Sequence, residues 1–409
     1  MPDETARPPA RQRHLNDNES VAGPADTRRA DSLRRRRVGR ALTRLGIAVG
    51  LIGSLHYYIG VRLIDRAGLQ GGAWWGAWIS LWVLLALVPL GFFAGRVVPA
   101  PIARGIRAVS HFWIGGFGLL LTAVALTDLA RLLLPLSGAA QAALVLLLVC
   151  PAVAIGYWTA NGPAKLERVP VSLPKLGAAF EGFRIVQLSD LHINENTRQE
   201  PLNQLVERVN ALQPDVVAIT GDLVDGDVED LRSRVAPLSK LRATEGVFFV
   251  TGNHEYYHGA IAWEAELRRL GFTVLHNEHR VIRRGNDALV LAGVTDYHGG
   301  YFYPAHQSRP DLAFAGAPEG APRILLAHQP RTAEHAALHG VDLQLSGHTH
   351  GGQIFPFMLF VRLQQPVVSG LRKLYGIWVY TNRGTGYWGP PMRVGPSPEI
   401  TEIRLVGSA

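Results

Sequence analysis

Four long stretches of this chain are almost free of charge: Leu45–Val61, Trp74–Ala94, Phe112–Leu134 and Ala139–Trp158. Each approaches the roughly 20 residues that carry a helix across hydrocarbon. Inside lipid, every backbone polar group must find its partner within the structure, so such runs are helices. Residues 43–160 therefore read as a four-helix transmembrane region. Trp74, Trp75, Trp78, Trp113, Tyr157 and Trp158 gather at the ends of the stretches, where interfacial aromatics sit. The first stretch is the shortest and carries His56, Tyr57 and Tyr58. Asp128 and Arg131 stand three apart near a segment end. There they can pair across one helical turn or reach toward the interface.

Charge is unevenly placed. Of the net +8, about +4 falls in residues 1–42, about +5 in residues 43–160 and about −1 in the remainder. Residues 1–42 are polar, hold the run Arg34–Arg37 and show no apolar periodicity, which is the composition of a disordered basic arm. Several apolar segments follow it, which disfavours a cleaved export signal. With four spans, three basic regions fall on one side: the arm, the loop with Arg96, Arg104 and Arg107, and the stretch with Lys165, Arg168 and Lys175. The expectation is a multi-pass inner-membrane protein with its C-terminal domain cytoplasmic. The near-neutral C-terminal half disfavours nucleic acid as a partner. The lone cysteine, Cys150, excludes a disulfide framework or a cysteine-built zinc site within one chain.

Residues 161–182, with Asn161-Gly162-Pro163 and the prolines at 170 and 174, read as a linker. From 183 to 409, short apolar runs alternate with helical periodicity. Strands are expected at Phe183–Ser189, Val216–Thr220, Val247–Thr251, Leu289–Gly293, Ile324–Ala327 and Leu343–Ser346. Leu202, Leu205, Val206, Val209 and Leu212 keep helical spacing, and a second helix is expected near Val228–Leu241. This is the pattern of an α/β domain, whose ligands gather at the carboxyl ends of its strands.

Five segments that bear metal-type side chains follow those strands: Asp190-Leu191-His192, Gly221-Asp222, Gly252-Asn253-His254-Glu255, His328 and Gly347-His348-Thr349-His350. A mixed nitrogen and oxygen set without thiolate suits Mn, Fe, Zn or Ni. Two cations side by side usually share a carboxylate, and the turn at Gly221 can present Asp222 between them. In extended chain, Asp190 and His192 face one side and can share an ion. His348 and His350 have the same spacing, and can share an ion or diverge to two. Each piece alone is weak. Their joint appearance, in this order and each after a strand, is hard to reach by accident.

The set resembles the calcineurin-like metallophosphoesterase superfamily, with D-x-H, G-D, G-N-H-[DE], a lone H and G-H-x-H. Gly221-Asp222-Leu223-Val224-Asp225, Gly347 to Gln353 and Gly384-Thr385-Gly386 look like its membrane-associated bacterial branch. The resemblance implies a β-sandwich flanked by helices (αββα) over 183–409 and a metal-dependent phosphoester hydrolase holding two divalent metal ions. One ion would be held by Asp190, His192, Asp222 and His350, the other by Asp222, Asn253, His328 and His348. Asp222 would bridge. His254 would act on the substrate phosphate, oriented by Glu255 through its other ring nitrogen. Paired ions generate hydroxide from water and bind phosphate oxygens. The implied reaction is hydrolysis of a phosphodiester or pyrophosphate bond, with a lipid-linked substrate as the favoured form. A phosphomonoesterase, protein phosphatase or nuclease acting on a soluble substrate, or a membrane sensor that uses the domain for binding, stands as the alternative.

Other residues read more blandly. Asp225 and Asp227 suit a polar turn. Tyr256 and Tyr257 can line a cleft or pack, and Arg383 can meet phosphate or lie at the surface. The apolar Ile354–Phe360, followed by Arg362, Arg372 and Lys373, can be core, or a greasy lid that meets the membrane.

Overall fold

The computed structural model describes residue 43 and residues 46–407. The basic arm read at 1–42 lies outside the described residues. The chain divides after Tyr58 into two units, and the sheets and three of the long helices belong to the second.

Among the described residues, four helices are long and apolar enough to cross a membrane: α1 (Gly46–Asp65), α2 (Gly71–Val97), α3 (Ala100–Ala130) and α4 (Gly138–Asn161). Pro101, at the second position of α3, costs no hydrogen bond there, because first-turn N–H groups have no partner within the helix. Ser137 caps α4 by accepting from the Ala140 N–H at 3.1 Å. Of the two readings of Asp128 and Arg131, the ion pair across one turn is not seen among the described residues. Asp128 instead meets Arg62 at 2.7 Å, and Arg131 donates to Gln141 at 2.9 Å. Partners on neighbouring helices outcompete the one-turn contact because Gln141 bridges, its amide donating to Asp128 at 2.8 Å.

The rest of the chain builds two six-stranded sheets. The strands are β1 (Lys165–Leu173), β2 (Arg184–Leu188), β3 (Val216–Ile219), β4 (Val247–Phe249), β5 (Thr273–Val274), β6 (Glu278–Arg284), β7 (Asp287–Gly293), β8 (Arg323–Leu326), β9 (Leu343–Ser346), β10 (Gly370–Leu374), β11 (Ile377–Thr381) and β12 (Glu399–Gly407). Their orders are β1-β12-β2-β3-β4-β5 and β10-β11-β9-β8-β7-β6. β2, β3, β4 and β5 run parallel, as do β7, β8, β9 and β11.

Side-chain alternation explains the layering. In β3, Val216 and Ala218 enter the core between the sheets, while Val217 and Ile219 face the helices. In β8, Ile324 and Leu326 point between the sheets and Leu325 points outward. On the first sheet's outer face lie α5 (Gln199–Ala211), α6 (Val228–Val235) and, after the short α7 (Asn253–Tyr257), α8 (Ala260–Arg269). Both faces of both sheets are covered, giving the αββα sandwich.

One expectation fails here. Residues 165–173, read as part of a linker, form β1, which pairs in parallel with β12 from Lys165↔Glu399 to Leu173↔Gly407. Pro170 is tolerated because β1 is an edge strand. Val171 and Leu173 drop into the core between the sheets. Leu173→Ala should therefore lower stability by about 2–4 kcal/mol, read as a lower unfolding temperature of the full chain in detergent. A linker residue would change it by less than about 0.5 kcal/mol.

Candidate metal centre

The strand ends deliver the five segments to one place through strained turns. Asp190, His192, Asp222, His348 and His350 all have positive φ, at 53°, 49°, 52°, 71° and 50°. Non-glycine residues rarely adopt this region, and clusters of such outliers mark functional sites. The Asp190–His192 segment is thus not extended chain, yet both side chains reach the same cluster. Two glycines permit the crowding. A Cβ at Gly252 would lie 2.1 Å from Asp222 Oδ1, and one at Gly347 would lie 2.2 Å from Asp190 Oδ2.

Two of the donor groups found among the described residues draw on these candidate ligands alone. Asp190, His192 and His350 form one, and Asp222, His328 and His348 the other. In the first, His192 Nε2 and His350 Nε2 stand 3.1 Å apart, and His350 Nε2 is 3.4 Å from Asp190 Oδ1. In the second, His328 Nε2 lies 3.2 Å from Asp222 Oδ2, 3.2 Å from Asn253 Oδ1 and 3.1 Å from His348 Nδ1. Asp222 Oδ2 also faces His192 Nε2 at 3.8 Å, so it lies between the groups. All seven residues come together, and all are buried except His348, which is partly so.

The tautomers show why a cation fits. His328 Nδ1 donates to the Thr220 carbonyl at 2.8 Å, since a carbonyl only accepts. In the neutral ring, Nε2 is then a bare lone pair that faces two oxygens and another imidazole nitrogen. His192 is fixed likewise, because Nδ1 donates to Asp225 Oδ1 at 3.0 Å. Lone pairs converging in a buried place need positive charge at their centre. Protons supply part of it in the bare chain. Although burial opposes charge, Asp222 raises the His328 pKa well above the usual range. Burial and the neighbouring His328 push His348 down to about 3, so that ring keeps its lone pair. Despite burial, the imidazoles of His328 and His254 hold the Asp222 carboxyl well below its ordinary value. These residues fit divalent metal ions.

Glu255 does not orient His254. Its carboxylate accepts from the backbone N–H groups of Gly252 (2.6 Å), Leu223 (2.7 Å) and Asp222 (3.0 Å). It locks two ligand loops together from beneath. The ring is held instead by Asp225, whose Oδ1 accepts from His254 Nδ1 at 2.6 Å and also serves His192. In sequence Asp225 looks like an ordinary turn aspartate, and its signal is the spacing Gly-Asp-x-x-Asp. No hydrogen bond engages His254 Nε2 among the described residues. Tyr257 and Trp388 flank its ring at 5.1 and 5.9 Å between centroids, both with exposed faces. Tyr256 is buried and packs away from the cleft, bonding His306 Nδ1 at 3.0 Å. Arg383 is engaged by Glu399 and Glu167. A further residue, Arg393, is buried behind the site and donates to the His350 carbonyl at 3.2 Å.

Two packed sheets with converging donor groups define an αββα domain with a candidate metal centre, preceded by helices long and apolar enough to cross a membrane. Residues 183–352 match the model of the calcineurin-like phosphoesterase family. The chain is 33% identical over 249 residues to an uncharacterized metallophosphoesterase of Aquifex aeolicus, covering 59% of this chain and 92% of that one. The chain belongs to the calcineurin-like phosphoesterase family. It is also 38% identical over 273 residues to a transmembrane protein with metallophosphoesterase domain from Danio rerio, covering 65% of this chain and 62% of that relative's length. Among solved structures, a dimetal phosphatase from Danio rerio aligns at 13% identity and a TM-score of 0.31, over 50% of this chain and 88% of that one.

Burial opposes charge on His254, but Asp222 and Asp225 outweigh it and push its pKa up to about 9. Removing a carboxylate that favours the charged ring must lower that midpoint. In metal-free protein with labelled histidine, the Asp225→Asn variant should therefore titrate His254 at lower pH than the parent chain. An unmoved midpoint would contradict the Asp225 contact.

Proposed function

We propose that this chain is a membrane-anchored phosphodiesterase that cleaves a phosphodiester or pyrophosphate bond with two divalent ions, on a lipid-linked substrate. The observation that carries the reading is the pair of donor groups that meet at the Asp222 carboxylate. Asp190, His192, Asp222 and His350 would hold one ion, and Asp222, Asn253, His328 and His348 the other. When bound, such ions act as Lewis acids toward phosphate oxygens and make a hydroxide nucleophile available at neutral pH.

The chain's own residues supply the rest. Asp225 keeps the proton on His254 Nδ1 and favours the charged ring. The imidazolium then stabilises charge on the phosphate and gives its Nε2 proton to the leaving oxygen. Glu255 keeps the Gly252 and Asp222 loops in register, so that His254 and the bridging carboxylate move as one piece. The membrane spans favour a substrate held at a bilayer. The basic residues of the loops favour a cytoplasmic catalytic domain in an inner membrane.

The test combines metal analysis with kinetics. Purified parent chain, loaded with Mn, Zn or Mg, should turn over a phosphodiester and lose activity to a chelator. His254→Ala should keep its ions and lose about 100-fold or more in kcat. Asp222→Ala should lose both the ions and the activity. Retention of two ions in Asp222→Ala refutes the bridge, and full activity in His254→Ala refutes the acid.

A further inference from the structure

The catalytic fold is clamped onto the spans along one stripe of α3. Arg107 meets Glu195 at 2.8 Å, three residues after the ligand His192. A Cβ added at Gly115 would lie 2.5 Å from Met392 Sδ, and one at Gly118 would lie 3.0 Å from the Phe357 ring. These positions are eight and eleven residues beyond Arg107, the spacing of one helix face. α4 joins in. The Gly156 carbonyl accepts from the Arg393 N–H at 2.8 Å, and the Arg393 side chain reaches His350. Arg393 alone separates α4 from a candidate ligand.

The depth of these contacts follows from the charges on α3. Its charge-free stretch lies between Arg107 and Asp128, about 30 Å of helix, close to the thickness of bilayer hydrocarbon. Phe357 meets α3 about 16 Å past Arg107, well inside that stretch. Phe357 opens the short helix Phe357–Val361, which has no buried residue. Phe355, Leu359, Phe360 and Leu363 are also exposed, Leu363 at 85%. Apolar side chains in such a patch, continuous with a spanning helix, have lipid rather than water as their natural neighbour. Exposed Arg362, Arg372 and Lys373 lie nearby in sequence, in keeping with an anionic headgroup layer.

We infer that the Phe355–Leu363 segment sits within the bilayer beside α3, and that the substrate is a phosphoester lipid of that same bilayer, which reaches the centre laterally. The substrate part rests on the hydrolase reading above. The segment follows His350 directly, and Gln353 ties it to the other rim of the site by donating to the Trp388 carbonyl at 2.7 Å. Acyl chains would stay among Phe355, Leu359 and Phe360 while the phosphate meets the donor groups and His254.

The chain's one cysteine makes depth measurable. In a Cys150→Ser background, Phe360→Cys is spin-labelled in the full chain and reconstituted into phosphatidylcholine–phosphatidylglycerol vesicles. Collisions with oxygen and with a water-soluble nickel chelate are compared with labels at Leu147→Cys, on the exposed face of α4, and Leu338→Cys, on the catalytic fold. A label at 360 that is shielded from the chelate like 147 supports immersion; one as accessible as 338 overturns it. In a second arm, Leu359→Ser/Phe360→Ser should lower kcat/KM on a vesicle-borne lipid phosphodiester by about tenfold or more. Turnover of soluble bis(p-nitrophenyl) phosphate should change by less than about twofold. Equal losses on both would overturn lateral entry. If the parent chain cleaves neither ester, the hydrolase reading fails, while the depth measurement still scores immersion.

Discussion

The structure depends on one electrostatic constraint: lone pairs from seven side chains converge on a small buried volume around Asp222. Nothing in an apolar core stabilises such a gathering without positive charge. The fold accepts backbone strain to make it, with five of the seven residues in the left-handed region. At roughly 1–2 kcal/mol per residue, that strain must be offset elsewhere. The parallel strands of both sheets do so, ending side by side with fully buried side chains such as Ile219, Phe249 and Leu326. The Glu255 carboxylate adds three charge-assisted bonds to the loops' own N–H groups.

A second constraint comes from the spans. α3 is longer than a bilayer requires, and Arg107, Gly115 and Gly118 along it meet the α/β domain. Glycines at 115, 118 and 156 let backbone and bulky side chains approach where a methyl group would clash. The loop that contains Met392, Arg393 and Val394 thereby links α3 and α4 to His350. These contacts, and not a linker alone, hold α3 and α4 against the α/β domain.

Much of this is legible in the sequence, for physical reasons. Strands in a covered sheet must be apolar on both faces, so β2, β3, β8 and β9 stand out as short apolar runs. Metal-type residues must follow them, because strand ends are where loops converge. The spans announce themselves by length and lack of charge. What escapes is whatever depends on partners distant in sequence. β1 reads as a linker because its partner β12 lies more than two hundred residues away. Asp225 reads as a turn residue because its work is to hold two histidines from different loops. Glu255 sits beside His254 in sequence yet points beneath the loops. Arg62 and Asp128 meet only once the helices pack. No local signal marks Arg393, which reaches His350 from far along the chain.

The central claim is that Asp222 joins two ions into one centre. Anomalous diffraction from crystals of the Mn-loaded chain measures it most directly. A bridging Asp222 gives two peaks about 3.5–4 Å apart, one beside Asp190, His192 and His350, the other beside Asn253, His328 and His348, with the Asp222 carboxylate between them. A single peak, or two peaks with Asp222 turned away from both, would contradict it.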